Sequence, residues 1–308
     1  MPECLGSELQ FRLIGGLSTG SIYALIALGY TLVYGVLQLI NFAHSEVFMG
    51  GILAGFLFLN AFAGADQTTS VMLLVIAFIP AMLASGVTAV ALERVAYRPL
   101  RKRGAPRLAY LISAIGASFF LSNLVLVWRG RSYESYPTTI NPSPAFYIGK
   151  VPIQTADVII LAVMIVMVLG LDAFVKRSRL GKGIRAVAQD VETAGMMGVD
   201  INQVVTVTFL LGGMLAGAAG LLYGLKFSVV RFDIGFLPGI KAFTAAVLGG
   251  IGNIRGALVG GIALGLMESI GAGCFGTQWQ DVIAFTVLVA VLMFRPTGLL
   301  GEGVGQKA

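Results

Sequence analysis

Long apolar stretches separated by short polar ones run through the chain, and their lengths decide what it is. About 20 consecutive apolar residues cross the hydrocarbon core of a bilayer as a helix. Residues 13–45 carry no charge and neither do residues 47–65, so Glu46 stands alone between two spans. Residues 71–92, 108–128 and 201–225 are also uncharged, 156–175 holds only Asp157 and Asp172 near its ends, and 276–294 holds only Asp281. These patterns predict seven membrane helices. Residues 239–270 are too long for one ordinary span and are broken by Gly249-Gly250-Ile251-Gly252-Asn253-Ile254-Arg255-Gly256. They read as a half-helix over 240–248 that turns within the membrane and a segment 257–269 that leaves it, both on the outer side. The prediction is an all-α, polytopic transmembrane bundle of about eight membrane segments, one domain over residues 1–308.

Composition agrees. The chain is 57% hydrophobic and 12% charged, with a mean hydropathy of +0.88, which leaves no material for a separate soluble domain. The net charge of +6 is gathered in short loops rather than on a long hydrophilic face, which argues against nucleic acid as a partner. Arg94, Arg98, Arg101, Lys102, Arg103 and Arg107 lie between two spans against the single acid Glu93, and Lys176, Arg177, Arg179, Lys182 and Arg185 lie between two others with none. Both loops are expected in the cytoplasm. Counting spans then places the N-terminus outside, makes residues 129–155 an external loop and puts Arg295 inside. Glu3 and Glu8 precede Arg12, the reverse of a signal-peptide n-region, so the first apolar run is expected to remain as a helix. Cys4 and Cys274 are far apart and suggest neither a zinc site nor a disulfide framework.

Two halves echo one another. Gly50-Gly51-Ile52 recurs as Gly260-Gly261-Ile262, and Gly15-Gly16 leading to Tyr34-Gly35 is matched by Gly212-Gly213 leading to Tyr223-Gly224. Gly212, Gly213, Ala216, Gly217 and Gly220 recur at spacings that let helix backbones approach closely. Repeat-built transporters show this pattern, with polar interruptions near the midplane.

Polar groups inside the apolar runs are the candidate site. Asn41, His44 and Glu46 form one polar knot, and Lys241 and Asn253 fall at the second interruption. A charge at membrane depth needs a partner or water, so Glu46 is expected to pair with Lys241 or Arg255 and these residues to line a translocation path. One histidine and no HExxH exclude a zinc hydrolase reading. No G-x-x-x-x-G-K-[ST] loop occurs, so the chain does not carry its own ATPase motor. Between Gly183 and Gly198, Ile184, Val187, Val191, Ala194 and Met197 fall on one face of a single amphipathic helix. Such a helix suits docking onto a soluble partner or lying on the bilayer surface.

Four motifs give a sharper reading: Asn41-Phe42-Ala43-His44-Ser45-Glu46, Glu93-Arg94-Val95-Ala96-Tyr97-Arg98-Pro99, Leu111-Ile112-Ser113-Ala114-Ile115-Gly116 and Lys241-Ala242-Phe243-Thr244-Ala245-Ala246-Val247-Leu248-Gly249-Gly250-Ile251-Gly252. In this order they resemble the branched-chain amino acid family of ABC transporter permeases, most closely the first of its two permeases, from about Leu13 to Gly301. Ser45 departs from the glycine of the family pattern. The resemblance implies an inner-membrane importer subunit without cofactor or metal. Its partners would be a second permease, two cytoplasmic ATPases, an extracytoplasmic solute-binding protein, lipid and a small-molecule substrate. Residues 176–200 would be the coupling segment, with Arg185, Ala188, Asp190, Ala194 and Gly198 as its contact candidates. An importer of the same type for urea, short amides or other amino acids, and a gradient-driven secondary transporter or channel, are the competing readings.

Overall fold

The computed structural model describes residues 9–62, 71–137, 144–148 and 151–301. The helices are α1 (Leu9–Leu37), α2 (His44–Phe62), α3 (Val71–Leu92), α4 (Arg98–Lys102), α5 (Arg107–Arg129), α6 (Thr155–Arg177), α7 (Arg179–Gln189), α8 (Val191–Met196), α9 (Ile201–Phe227), α10 (Phe236–Gly249), α11 (Ile254–Phe275) and α12 (Gln280–Phe294). A π-helical turn, Glu93–Tyr97, joins α3 to α4. Four short strands, β1 (Glu134–Ser135), β2 (Pro144–Ile148), β3 (Val151–Gln154) and β4 (Val229–Val230), pair antiparallel as β1 with β4 and β2 with β3.

Among the described residues eight helical segments are long and apolar enough to cross a membrane. The helix α1 is apolar on every side and therefore central, and every residue from Ile22 to Leu28 is buried. Around it, α5 and α12 leave Phe119, Phe120, Val127, Val289 and Met293 exposed, as helices facing lipid or a partner must.

Glycine fixes the packing, and the echo between the halves has a spatial counterpart. A side chain at Gly261 of α11 would sit 2.5 Å from Ala24 Cα of α1, and one at Gly20 of α1 2.8 Å from the Gly261 carbonyl. In the other pair, a side chain at Gly51 of α2 would sit 2.5 Å from Gly217 Cα of α9. Each glycine helix thus finds its close partner in the opposite half, so the halves are interlocked.

The second interruption differs from its expected layout. The chain comes down from the end of α9 through residues 231–235, and α10 then runs to the end of the bundle that carries the basic loops. At 14 residues α10 is about 21 Å long, too short to cross alone. Asn253 Oδ1 accepts from the Arg255 and Gly256 amides, caps α11, and the 22 residues of α11 go back across. The two pieces therefore do not both stay on the outer side. Gly250 (φ 105°) and Gly252 (φ 99°) make the hairpin at the basic end, where left-handed backbone is needed. Leu299 and Leu300 donate to the Leu248 and Gly249 carbonyls, which holds the segment after α12 at that same end.

At the opposite end, β1 and β4 tie the loop after α5 to the end of α9, and Tyr136 is buried against Gly224. Cys274, near the end of α11, is disulfide-bonded, which corrects the expectation of no bridge, and Cys4 lies outside the described residues. A disulfide at the end remote from the basic loops agrees with that end facing the oxidising side.

Candidate functional site: a cavity at Glu46

After α1 the chain takes a left-handed step at Gln38 and folds back into the bundle, so α2 starts deep in the structure rather than at its edge. His44, the first residue of α2, packs on Gly29 and edge-on against Tyr30 with ring centroids 4.6 Å apart. Its ring also bonds the Ile26 carbonyl, so the imidazole holds α2 to the middle of α1. Ser45 Oγ donates to the Phe42 carbonyl at 2.8 Å. Opposite Ser45 lie Gly235 and Gly239, and a side chain at Gly239 would come within 2.4 Å of Ser45 Cβ. The N-terminal ends of α2 and α10 therefore meet inside the bundle, as half-helices do in transporters, and direct their positive dipole ends to one region.

A cavity of 810 Å³ opens there, walled by α5 on one side and by Tyr30, Phe42, Phe236 and Ile240 on the other. Glu46 is 3% exposed and lines it. One of its oxygens accepts from Ser118 Oγ of α5 at 3.1 Å and from Ser45 Oγ at 3.5 Å. The other has no hydrogen-bond partner among the described residues. A second cavity of 600 Å³, lined by Thr88, Leu121 and Trp128, touches the same carboxylate from between α2, α3 and α5. Asp233 also lines the larger cavity and is paired with Arg231, which in turn meets the Tyr133 hydroxyl.

The four sequence motifs converge on this place. Tyr97, in the π-helical turn, donates to Asn41 Oδ1 at 2.6 Å, so the second motif anchors the first. Glu93, fully buried, receives Arg101 at 3.1 Å and the Thr206 hydroxyl at 3.2 Å, which fastens the turn to α9. Ile115 of the third motif lines the cavity, and Phe243 of the fourth stacks near Phe42 and Tyr30.

Not every expected site residue is brought together. Asn41 and His44 stand behind Glu46 and are absent from the cavity wall. Glu46 pairs with neither Lys241 nor Arg255. Lys241, 7% exposed, is held by Glu268 at 3.2 Å and Asp281 at 2.7 Å, and Tyr23 donates to Glu268 at 3.0 Å. The cause is direction: Lys241 lies on the side of α10 that faces α11 and α12, while the Ser45 side carries Gly239. Asn253 sits at the basic end, with its amide donating to the Leu300 carbonyl at 2.9 Å. Ser118 was missed by sequence reasoning. Its one signal was its place two residues after the third motif, on a helix otherwise read as plain span.

At the basic end the amphipathic stretch is two helices, not one. Asp190 takes extended backbone (φ −156°, ψ 115°) and caps α8 by accepting from the Thr193 amide, which turns the chain. Ile184, Val187 and Ala194 are consequently buried, whereas Val191 and Met197 are exposed instead of continuing the buried face. Arg185 and exposed Ala188 line a 590 Å³ groove together with Lys176, Asn253 and Arg255, and Gly198 (φ 83°) ends the segment.

Known proteins can be set beside this geometry. Residues 12–292 match the family model described as branched-chain amino acid transport system / permease component. The high-affinity branched-chain amino acid transport system permease protein BraD of Pseudomonas aeruginosa is 43% identical over 310 residues, all of both chains. The LivH permease protein of Salmonella typhimurium is 40% identical over 96% of each chain. A solved structure, PsaBC from Streptococcus pneumoniae in complex with Fab, covers 96% of each chain with a TM-score of 0.50 at 12% identity and shows a likeness of fold. The chain thus belongs to the branched-chain amino acid permease family, as a non-enzymatic, multi-pass permease component of an ABC transport system of the bacterial inner membrane.

Proposed function

We propose that the chain forms half of the translocation pathway of an ATP-driven importer of leucine, isoleucine and valine. The pathway passes the cavity at Glu46. The observation that carries this reading is the meeting of two helix N-termini at a largely apolar cavity with one polar corner. An aliphatic side chain is accommodated by such a wall, and a polar headgroup by such a corner. Glu46 faces the solute, Asn41 and His44 fix the start of α2, Lys241 fixes α10, and Asn253 shapes the hairpin at the cytoplasmic mouth.

A second permease completes the path, two cytoplasmic ATPases drive it, and an extracytoplasmic binding protein delivers the solute. Residues 176–200 are the coupling segment. Arg185, Ala188, Asp190, Ala194 and Gly198 belong to it, with Ala188 at the contact surface and Asp190, Ala194 and Gly198 setting its shape. Val191, Met196 and Met197 supply the exposed apolar surface that an ATPase groove covers. Movement of α7, packed on α6 and α9, is passed to the spans it joins. Residues 129–155 form the external loop, in which β1 pairs with β4 at the end of α9 and β2 pairs with β3.

The test is uptake by the complete complex reconstituted in liposomes, with the binding protein's affinity measured for leucine, valine, urea and short amides. ATP-dependent uptake of leucine and valine with exclusion of urea is expected. Uptake of urea or amides in preference would replace the substrate assignment, and uptake without ATPases would overturn the mechanism.

A further inference from the structure

We propose that Glu46 is the site that receives the α-ammonium group of the amino acid as it passes, an assignment that rests on the substrate class given above. A carboxylate 3% exposed has little water to stabilise it, and the Ser118 and Ser45 hydroxyls serve only one of its oxygens. Glu46 lines the same 810 Å³ cavity, and its second oxygen, buried beside that cavity, has no donor among the described residues. The basic groups that could have answered it are committed elsewhere: Lys241 to Glu268 and Asp281, and Arg231 to Asp233. What the cavity lacks is a cation with N–H donors small enough to enter beside Ser118.

A primary ammonium suits that oxygen, since it offers three donors to a carboxylate oxygen without one. Of the rest of the wall, Tyr30, Phe42, Phe119, Phe236, Leu237 and Ile240 take an aliphatic side chain, and Ser122, Asn123 and the Arg231-paired Asp233 are its other polar residues. Glu46 lies in the first turn of α2, near the positive end of that helix's dipole. Contact on one oxygen from the Ser118 and Ser45 hydroxyls also orients the other.

The experiment is equilibrium binding of labelled leucine to the complex of both permeases and the ATPases in nanodiscs, with the binding protein left out, competed by isopentylamine, which keeps the ammonium, and by isocaproate, which keeps the carboxylate. In the unaltered complex isopentylamine should displace leucine and isocaproate should not. Glu46→Gln should weaken leucine binding by about tenfold or more and abolish displacement by the amine, with Glu46→Asp in between. Size exclusion establishes that each variant complex is assembled, and Glu46→Asp serves if Glu46→Gln does not assemble. Leucine affinity unchanged within about twofold in the assembled variants, or displacement by isocaproate as good as by the amine, overturns the ammonium assignment alone. Absence of leucine binding in the unaltered complex overturns the pathway reading on which it rests.

Discussion

Lys241 on α10 reaches Glu268 on α11 at 3.2 Å, and both side chains are almost wholly buried. The same ammonium reaches Asp281 at the start of α12, so one residue binds the short helix to the two that follow it. Without this clamp α10 would have only its 14 residues of packing to keep it inside the bundle.

Lys241→Met is expected to destabilise the complex by roughly 3–5 kcal/mol, because it leaves Glu268 buried without its cation. Lys241→Met with Glu268→Gln should recover a large part of that loss. Lys241→Met and Glu46→Gln should act independently, since the two residues belong to separate networks. Thermal unfolding of the three single and two double variants in detergent gives both cycles, and coupling between positions 46 and 241 above about 1 kcal/mol would contradict the separation.

Much of this arrangement was legible in the chain. Uncharged runs of membrane length located the spans, and the glycine echo marked the faces that interlock, because both follow from local sequence. The partner of Lys241 was not legible. Which side of a helix a lysine leaves from depends on how α10 is rotated against α11 and α12, and no periodicity reports that. Ser118 was hidden for a related reason: a serine in a span can bond its own turn, and only the position of α5 shows that it meets Glu46. The break at Asp190 was legible in principle, since an aspartate three residues before Thr193 is a cap signal, but the apolar period on either side masked it.

Gly261→Ala places a methyl against the backbone of Ala24, and the helices can avoid it only by separating. A loss of about 1–3 kcal/mol is expected, read as a lower melting temperature of the purified complex. Gly50→Ala is the matched control, because the nearest atom to its new methyl is Ser85 Oγ at 3.9 Å. That variant should be as stable as the parent or gain up to about 1 kcal/mol from helix propensity. Equal behaviour of the two would show that α1 and α11 do not meet as described.

Ala188→Glu and Met197→Glu change exposed positions of the coupling segment, so both should insert normally while uptake falls by about tenfold and ATP hydrolysis continues. Ala194→Glu differs, because Ala194 is on the buried side of α8 and a charge there should lower the amount of folded protein. Normal coupling in Ala188→Glu and Met197→Glu together would remove the segment from the ATPase contact.

Sidedness follows from the basic loops and is checked by labelling. A cysteine at Ser132 should react with an impermeant thiol reagent from outside intact cells, and one at Gln189 only after the membrane is opened. Reaction at Gln189 in intact cells would invert the bundle.

The central claim is that solute passes the cavity at Glu46, and Ser118→Cys tests it most directly. Ser118 faces that cavity from α5, beside the carboxylate. Leucine uptake by the reconstituted complex is measured before and after the cysteine is converted to a bulky thioether, with the unsubstituted chain treated alike. Uptake should fall by about tenfold or more on modification, and leucine-loaded binding protein should slow the reaction of the thiol. Full uptake after complete modification would mean that the solute takes another route.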